Sequence, residues 1–323
     1  MSLLVADIGG TNIRFAHIPT TADTLTDIEV VSGCHHKTLL DALSSYIELH
    51  NLSSIKEAVI AVAGPVLDDH ISVTNSHLQF CQRDLMGRLN LSRLLVINDF
   101  TAQALAQTLP SNDERLLLRK GKSETTAPLL VIGPGTGLGI SALIPTNDGF
   151  FPVEGEGGHI SLSPQNQAEQ HILHSLQKCY SHVSVERVVS GAGLEYLYQH
   201  LTKQSGKPAK YANAAEIGNA AINGDASSID AVRLMLDFLG TIISDLALVL
   251  GARQGIVIVG GIMPKIQSVI PQSLFWDRLT RKGRLSSFIT DIPVWLSIDP
   301  FSGLKGARHA INNPYLAARI RSA

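Results

Sequence analysis

The chain has 323 residues and a formal net charge of −2 at pH 7. A chain of this length supports a large core and, at the usual domain size, about two domains. Because the charge is nearly balanced and like charges form no block, we expect no electrostatic binding of nucleic acid or of an anionic membrane.

The cysteines and the apolar segments predict a cytoplasmic protein. The three cysteines, Cys34, Cys81 and Cys179, include no C-x-x-C pair, which favours free thiols over a disulfide framework or a structural zinc site. The first residues lack the basic leader of a secretory signal. Charged residues interrupt the most apolar later region, 234–262, before it reaches the length of a membrane span.

Strand-like and helix-like segments alternate along the first third of the chain. Apolar runs predict strands at 3–9, 12–18, 57–64, 71–75 and 94–99, and helical periodicity predicts helices at 39–50 and 101–109. This alternation predicts an α/β architecture. The polar segment 110–128 has a proline at each end and is expected to cross between two domains and to serve as their hinge.

A second series of elements follows this crossing. It begins with a strand, a turn and a second strand over 129–144 and continues with helices at 167–180, 191–203 and 229–251 and a strand at 255–261. We therefore predict a small α/β domain over 1–110 and a large α/β domain over 111–300.

Each series opens with a glycine turn between two strands. The stretches "LLVADIGGTNIRF" (3–15) and "LLVIGPGTGLGISALI" (129–144) resemble each other, with Thr11 or Thr136 in the turn. Glycines allow positive φ and close approach of backbone N–H groups to an anion, and threonine adds a donor. The spacing fits neither a P-loop nor a dinucleotide-binding fingerprint. Either turn alone is equally typical of an ordinary hairpin, but the pair favours phosphate binding.

Asp7 is the unusual residue of the first strand. Its neighbours Ala6 and Ile8 are apolar, and a buried carboxylate is unfavourable unless it is paired or near a cation. If the glycine turns hold the phosphates of ATP, Asp7 is placed to orient Mg²⁺ through its waters.

Asn98 and Asp99 end a predicted strand immediately before a helix. Ligands of α/β folds bind at this carboxyl edge of the sheet. One interpretation makes Asp99 the general base for a substrate hydroxyl and Asn98 a polar clamp. The alternative is an Asx turn or an N-cap of the following helix.

The stretch "EGEGGHIS" (154–161) brings a carboxylate and an imidazole onto one glycine-rich bend. Glu156 and His159 could together donate to and accept from adjacent sugar hydroxyls. A metal pair lacks a third ligand nearby. A solvated loop and a structural histidine remain open alternatives. Glu186, before a predicted helix, is a weaker signal.

The motifs occur in an order that resembles the bacterial glucokinase family, the ATP-dependent hexose kinases outside the zinc-containing ROK group. They are "ADIGGTN", "INDFTAQA", "GPGTGLG", "EGEGGH", "SVERVVSGAGL", "IVIVGGI" and "GLKGAR". The resemblance extends over nearly the whole chain. It implies a two-lobed actin-like ATPase (ribonuclease H-like) fold with an interdomain cleft, in which a C-terminal helix around 304–320, within about 301–323, completes the small domain. It also implies glucose and ATP as substrates, Mg²⁺ as cofactor, a role in glycolysis and a homodimer.

The resemblance also implies residue roles. Asp99 takes the proton of the sugar 6-hydroxyl, Asn98 binds neighbouring hydroxyls, and Glu156, His159 and Glu186 bind the sugar. The nucleotide-binding residues that it implies are Ala6, Asp7, Ile8, Gly9, Gly10, Thr11, Gly135, Thr136, Gly137, Gly260 and Gly261. Pro134 replaces a frequent alanine of the family and has no N–H to donate, so its neighbours must supply the amides.

Three alternatives remain at this level. A kinase of the same family could act on another hexose, since discrimination of one hydroxyl depends on geometry. An actin-like ATPase without a sugar substrate would not need the sugar-matching residues. A sugar-responsive regulator would need a DNA-reading domain, and we expect none because the first core strand begins at residue 3.

Overall fold

Two structural units, each with its own sheet, make up the chain. The structure is a computed structural model that describes residues 2–21, 24–108 and 114–322. The first unit consists of residues 1–111, 141–155 and 301–323, and the second of residues 112–140 and 156–300.

The described strands follow the apolar runs of the sequence. They are β1 (Leu3–Ile8), β2 (Asn12–Ile18), β3 (Thr26–Ser32), β4 (Glu57–Val62), β5 (His70–Ser72), β6 (Gln79–Cys81), β7 (Arg93–Asn98), β8 (Arg115–Arg119), β9 (Leu129–Pro134), β10 (Leu138–Thr146), β11 (Gly149–Glu154), β12 (Gly255–Ile258), β13 (Val294–Ser297) and β14 (Arg321–Ser322).

The described α-helices are mostly amphipathic. They are α1 (Leu39–Leu49), α2 (Gln82–Arg88), α3 (Asp99–Leu105), α4 (Gln167–Gln177), α5 (Gly191–Gln204), α6 (Ala214–Ile222), α7 (Ala226–Leu250), α8 (Met263–Ile266), α9 (Phe275–Thr280), α10 (Ser286–Thr290) and α11 (Ser302–Ala310). None of the helices in the described part of the chain is long and apolar enough to cross a bilayer.

The sheet of the first unit has the strand order β14-β7-β4-β1-β2-β3. Strands β1, β4 and β7 are parallel, whereas β2, β3 and β14 run antiparallel to their neighbours. All six residues of β1 and of β4 are buried, as expected for strands covered on both faces. The carboxyl ends of the three parallel strands therefore meet at one edge of this sheet.

Helix α11 packs on α3 and on β1 within the first unit, and a glycine makes this approach possible. A Cβ built on Gly306 would lie 1.6 Å from the carbonyl oxygen of Ala102 in α3. The helix ends at Ala310, so the C-terminal helix predicted around 304–320 is too long. The helix cannot continue to 320, because a turn follows around Asn313 and Pro314 and because Pro314 has no N–H to donate to a helical hydrogen bond.

The sheet of the second unit has the order β10-β9-β12-β13-β8, with residues 138–140 of β10 belonging to this unit. Strands β9, β12 and β13 are parallel and β8 is antiparallel to β13. The 25-residue helix α7 packs against α5, α6 and α9 to form the main core. Its C-cap is Gly251 with φ 62°, a left-handed conformation that favours glycine.

Two features of the chain path differ from the sequence-based expectation. The predicted crossing 110–128 contains a strand, β8, because its apolar residues pair with β13; positions 110–113 of this crossing, and with them part of the expected hinge, lie outside the described residues. Residues 141–155 group with the first unit, whereas the predicted division put them in 111–300. The reason is that β11 packs against α3.

Candidate active site

The first glycine turn joins β1 to β2. The Gly9 amide donates to the Asn12 carbonyl at 3.0 Å, which closes the turn. Among the described residues, the amides of Gly10 and Thr11 have no acceptor. A Cβ on Gly10 would lie 3.2 Å from the Thr74 carbonyl, so a larger residue would crowd the neighbouring backbone. The turn therefore presents two adjacent N–H donors.

The second turn joins β9 to β10 and repeats this arrangement. The Gly135 amide donates to the Gly137 carbonyl at 2.8 Å. Within the described part of the chain, the amides of Thr136 and Gly137 have no acceptor. The two turns thus share a pair of adjacent amides without an acceptor among the described residues, and the Gly135 amide is used within its own turn. None of Gly9, Gly10, Gly135 and Gly137 has a positive φ, so the part of the sequence-based explanation that required positive φ was wrong.

Asp7 lies next to the first turn in a buried position. Its side chain accepts a hydrogen bond from Arg14 Nη1 at 3.1 Å, and the residue is 6% exposed. Burial raises the pKa of Asp7, and the Arg14 charge lowers it by less. A Cβ on Gly303 would lie 2.7 Å from Asp7 Oδ2, which explains the first glycine of "GLKGAR".

Arg14 was not singled out from the sequence, although a signal was available. Asp7 and Arg14 are directly opposite in the antiparallel register of β1 and β2. A two-strand hairpin around Gly9 and Gly10 predicts that pairing, and opposite charges on directly paired positions stabilise a sheet. Ala6 and Ile8 are fully buried in the core, so only their backbone could lie near a nucleotide.

Asn98 is the N-cap of α3, which begins at Asp99. Asn98 Oδ1 accepts from the amides of Phe100 at 2.8 Å and Thr101 at 3.2 Å, and Nδ2 donates to the Gly64 carbonyl at 3.1 Å. Asn98 therefore caps the helix, as the structural alternative from the sequence predicted. One N–H of its Nδ2 amide is used by Gly64, so only the other can donate to a ligand. Asp99 is half-buried and its Oδ1 accepts from the Phe100 amide at 2.9 Å.

Glu156 and His159 lie on the bend that follows β11. Partial burial raises the pKa of Glu156, the His159 charge lowers it, and the Glu186 charge raises it. His159 and Glu186, which are also expected to bind the sugar, therefore both lie within electrostatic reach of Glu156 in the second unit. A Cβ on Gly158 would lie 2.1 Å from the Leu138 carbonyl, so this glycine allows the bend to pack on β10.

Glu186 connects the sugar-matching residues to the second glycine turn. Its Oε2 accepts a hydrogen bond from the Leu138 amide at 2.8 Å, one residue after the turn. A Cβ on Gly137 would lie 2.4 Å from the same oxygen. No sequence pattern indicates this contact, because 48 residues separate the two partners.

Gly260 and Gly261 follow β12 beside the second turn. Gly260 has φ 90°, and a Cβ there would lie 2.9 Å from the Pro134 carbonyl. Glycine is therefore required at position 260 both by its conformation and by the space available. No described atom lies within 4 Å of a Cβ built on Gly261.

A protein-family model described as Glucokinase matches residues 4–314. The chain belongs to the glucokinase family. A glucokinase of Chromohalobacter salexigens is 39% identical over 310 residues, which are 96% of this chain and 97% of the relative. Family membership thus agrees with the resemblance inferred from the motifs.

Solved structures confirm the predicted fold class of this glucokinase-family chain. The crystal structure of glucokinase from an Antarctic psychrotroph matches with a TM-score of 0.81 and 33% identity, covering 97% of this chain and 99% of that one. A glucokinase from Balamuthia mandrillaris in complex with glucose matches with a TM-score of 0.80, covering 95% and 92% of the two chains. At 22% identity, the second match supports the fold alone. The two sheets and their helices have the α/β arrangement of actin-like ATPase sugar kinases.

The site residues of this glucokinase-family chain divide between the two units. Asp7, the first glycine turn, Asn98 and Asp99 belong to the first unit, and the second turn and the sugar-matching residues belong to the second. In the first unit, Asp7 of β1 is level with Ala61 of β4, and Ala61 with Ile97 of β7. One sheet edge therefore holds Asp7, the first turn and the start of α3.

Proposed function

We propose that this chain transfers the γ-phosphoryl group of ATP to the 6-hydroxyl of D-glucose, with Asp99 as the general base. ATP-dependent phosphorylation of glucose is the activity of the glucokinase family to which the chain belongs. One observation carries the assignment of Asp99: it is the first residue of α3, at the same edge of parallel strands as Asp7 and the first glycine turn.

The spacing at this edge suits a phosphoryl transfer. Asp7 lies two strands from Ile97, and adjacent strands are about 4.8 Å apart, so the two positions are about 10 Å apart. This separation accommodates a phosphate chain at the turn and an acceptor alcohol near Asp99. Phosphoryl transfer depends mainly on positioning, on charge stabilisation and on a base near the attacking oxygen.

The chain's own groups supply those functions in our proposal. The carboxylate of Asp99 accepts the proton as the sugar oxygen attacks phosphorus, and Asn98 Nδ2 donates to a neighbouring hydroxyl. The amide pairs Gly10–Thr11 and Thr136–Gly137 donate to phosphate oxygens, since adjacent N–H groups form anion-binding concavities.

Asp7 fits a role toward Mg²⁺, which we also propose. The described residues contain no group of three or more histidine, cysteine or acidic side chains able to hold a metal. Mg²⁺ on a nucleotide needs only one or two carboxylates, because phosphates and waters complete its coordination. Burial holds the pKa of Asp7 above its ordinary value despite Arg14, so a cation beside it would be favourable. When bound, Mg²⁺ neutralises charge on the phosphates.

For the second unit, we propose that Glu156, His159 and Glu186 bind the sugar and that Gly260 and Gly261 lie beside the adenosine. The sugar-binding assignment is supported by the charge interaction of Glu156 with His159 and with Glu186. The adenosine assignment is supported by the tight packing of Gly260 on Pro134, at the start of the second turn.

Further expectations belong to the same proposal. We propose a cytoplasmic glycolytic enzyme, consistent with three free cysteines, and a homodimer, which light scattering on the purified protein would test. We place the chain outside the ROK group because its scattered cysteines form no cysteine-rich motif.

Another hexose remains the alternative substrate. Measuring turnover with mannose and glucosamine beside glucose distinguishes a glucokinase from a kinase of another hexose.

A coupled assay for ADP release with and without glucose tests the reaction. We expect release that depends strictly on glucose; equal release without sugar would indicate an ATPase of another kind.

Replacing Asp99 with alanine should lower kcat by roughly 10²- to 10⁴-fold, the usual contribution of a general base, while calorimetry shows retained glucose binding. Asp84→Ala is the matched control, because Asp84 also lies in the first turn of a helix but is exposed. A substantial kcat in Asp99→Ala would overturn the assignment.

A further inference from the structure

The C-terminal residues of the first unit contact the segment that carries Asp99. Arg319 Nη1 donates to Glu154 Oε1 at 2.6 Å, and Arg319 Nη2 donates to the Val96 carbonyl at 3.1 Å. Val96 belongs to β7 and lies three residues before Asp99. One guanidinium therefore connects the end of β11 to β7, and its planar fork suits two simultaneous acceptors.

Glu154 extends this contact to helix α3. The same Oε1 atom accepts a hydrogen bond from Thr101 Oγ1 at 3.0 Å. Thr101 is fully buried, and its amide donates to the N-cap oxygen Asn98 Oδ1 at 3.2 Å. A hydroxyl in the first turn of α3 is thus held by a carboxylate that is itself held by Arg319.

These contacts hold the chain before and after Asp99. On one side the Val96 carbonyl is fixed by Arg319, and on the other side Thr101 is fixed by Glu154 and by Asn98. Asp99 stands between the two fixed points, two residues before Thr101. Local capping by Asn98 alone would orient the start of the helix, but it would not tie the strand end to the neighbouring hairpin.

The rest of the C-terminal segment supports the same arrangement. Asn313 Nδ2 donates to the Phe150 carbonyl at 2.9 Å, and the rings of Tyr315 and Phe151 make an edge contact at 5.4 Å between centroids. These contacts attach the chain before Arg319 to the β10–β11 hairpin. Arg319 is therefore held in place from its N-terminal side by apolar and backbone contacts.

We propose that Arg319 and Glu154 are positioning residues that hold the first turn of α3, and with it the Asp99 carboxylate, in its reactive orientation. This inference rests on the proposed role of Asp99 as general base. Neither residue touches substrate in the proposal; both act through Thr101 and Val96. Misplacement of a reacting group by about 1 Å is enough to lower turnover strongly.

Steady-state kinetics of the full-length chain test the proposal. We expect Arg319→Ala to lower kcat about tenfold or more, with KM for ATP and the unfolding midpoint nearly unchanged, because both Arg319 and Glu154 are partly exposed. Arg319→Lys keeps the charge and a donor to Glu154 and should recover part of the loss. Arg321→Ala is the matched control: Arg321 lies two residues further along, but it pairs with Asp69 at 3.1 Å and should leave kcat unchanged.

Two further variants separate this inference from the proposed base. Because Arg319 and Glu154 act on the same helix turn, Arg319→Ala combined with Glu154→Gln should lose no more than the worse single variant. Adding Arg319→Ala to Asp99→Ala should cause no further loss. Wild-type kcat in Arg319→Ala, additive losses in the double variant, or a fall matched by Arg321→Ala would overturn the inference. Retained turnover in Asp99→Ala would overturn the base and with it the positioning role, whereas wild-type kcat in Arg319→Ala beside an inactive Asp99→Ala would overturn the positioning role alone.

Discussion

Glu186 accepts a hydrogen bond from the Leu138 amide at 2.8 Å, directly after the second glycine turn. A carboxylate proposed to bind sugar is therefore also the group that holds the end of a turn proposed to bind phosphate. Gly137 makes this contact possible, because any side chain there would meet the same carboxylate.

We predict that Glu186→Gln and Glu186→Ala differ in their effect on the nucleotide. Glutamine keeps an oxygen that accepts from Leu138, whereas alanine leaves that amide without its acceptor. Both variants should raise KM for glucose roughly ten- to a hundredfold, the value of a hydrogen bond to a charged group. Only Glu186→Ala should also weaken the binding of ADP measured by calorimetry without sugar. Equal ADP affinity in the two variants would show that this contact does not hold the turn.

The buried carboxylate of Asp7 predicts a specific dependence of stability on pH. Because its pKa is raised by burial, the folded chain binds this proton more tightly than the unfolded chain does. The resulting contribution to the free energy of unfolding is complete below the ordinary pKa of aspartate and is lost as pH rises through the raised pKa. Asp7→Asn should therefore gain stability relative to the wild type as pH increases through that window. Urea unfolding at a series of pH values measures this, and parallel curves would contradict it.

Gly306 sets how closely α11 approaches α3. Since a Cβ would lie 1.6 Å from the Ala102 carbonyl, Gly306→Ala must displace backbone, and overpacking of this kind reduces stability by about 1–3 kcal/mol. Gly87→Ala is the control, because Gly87 lies within α2 with no described atom within 4 Å of the added Cβ. Removing glycine there should raise stability by roughly 0.5–1 kcal/mol. Chemical unfolding of both variants measures the contrast; equal stabilities would argue against close α11–α3 packing.

The second unit contains a buried ion pair between Glu169 of α4 and Arg278 of α9. The two side chains are 2% and 3% exposed, and Arg278 Nε and Nη1 have no hydrogen-bond partner among the residues that the structure describes. Glu169→Ala would leave this guanidinium buried without its counter-ion, so we expect a loss of about 3–5 kcal/mol in the free energy of unfolding. Asp230→Ala, which removes an exposed pair with Arg233, should change stability by less than about 1 kcal/mol. Similar losses of stability in Glu169→Ala and Asp230→Ala would contradict the expected importance of the buried ion pair.

Much of the local structure could be predicted from the sequence, since apolar periodicity and glycine turns are properties of neighbouring residues. The strands that flank both glycine turns, the long helix α7 and the helix after Asn98 all lie close to their predicted ranges. The edge strands β3, β8 and β11 were not predicted, because each is partly exposed and its apolar runs are only two or three residues long.

By itself the sequence determined the order of the motifs, the family, the α/β class and the candidate residues, because these depend on residue identity and short spacing. Only the tertiary structure decided which of those residues meet. Arg14 faces Asp7 through strand register, Glu186 reaches Leu138 across 48 residues, and Arg319 reaches Val96 across 223. The physical reason is that such contacts depend on how separate segments pack, and no pattern within one segment records its partner.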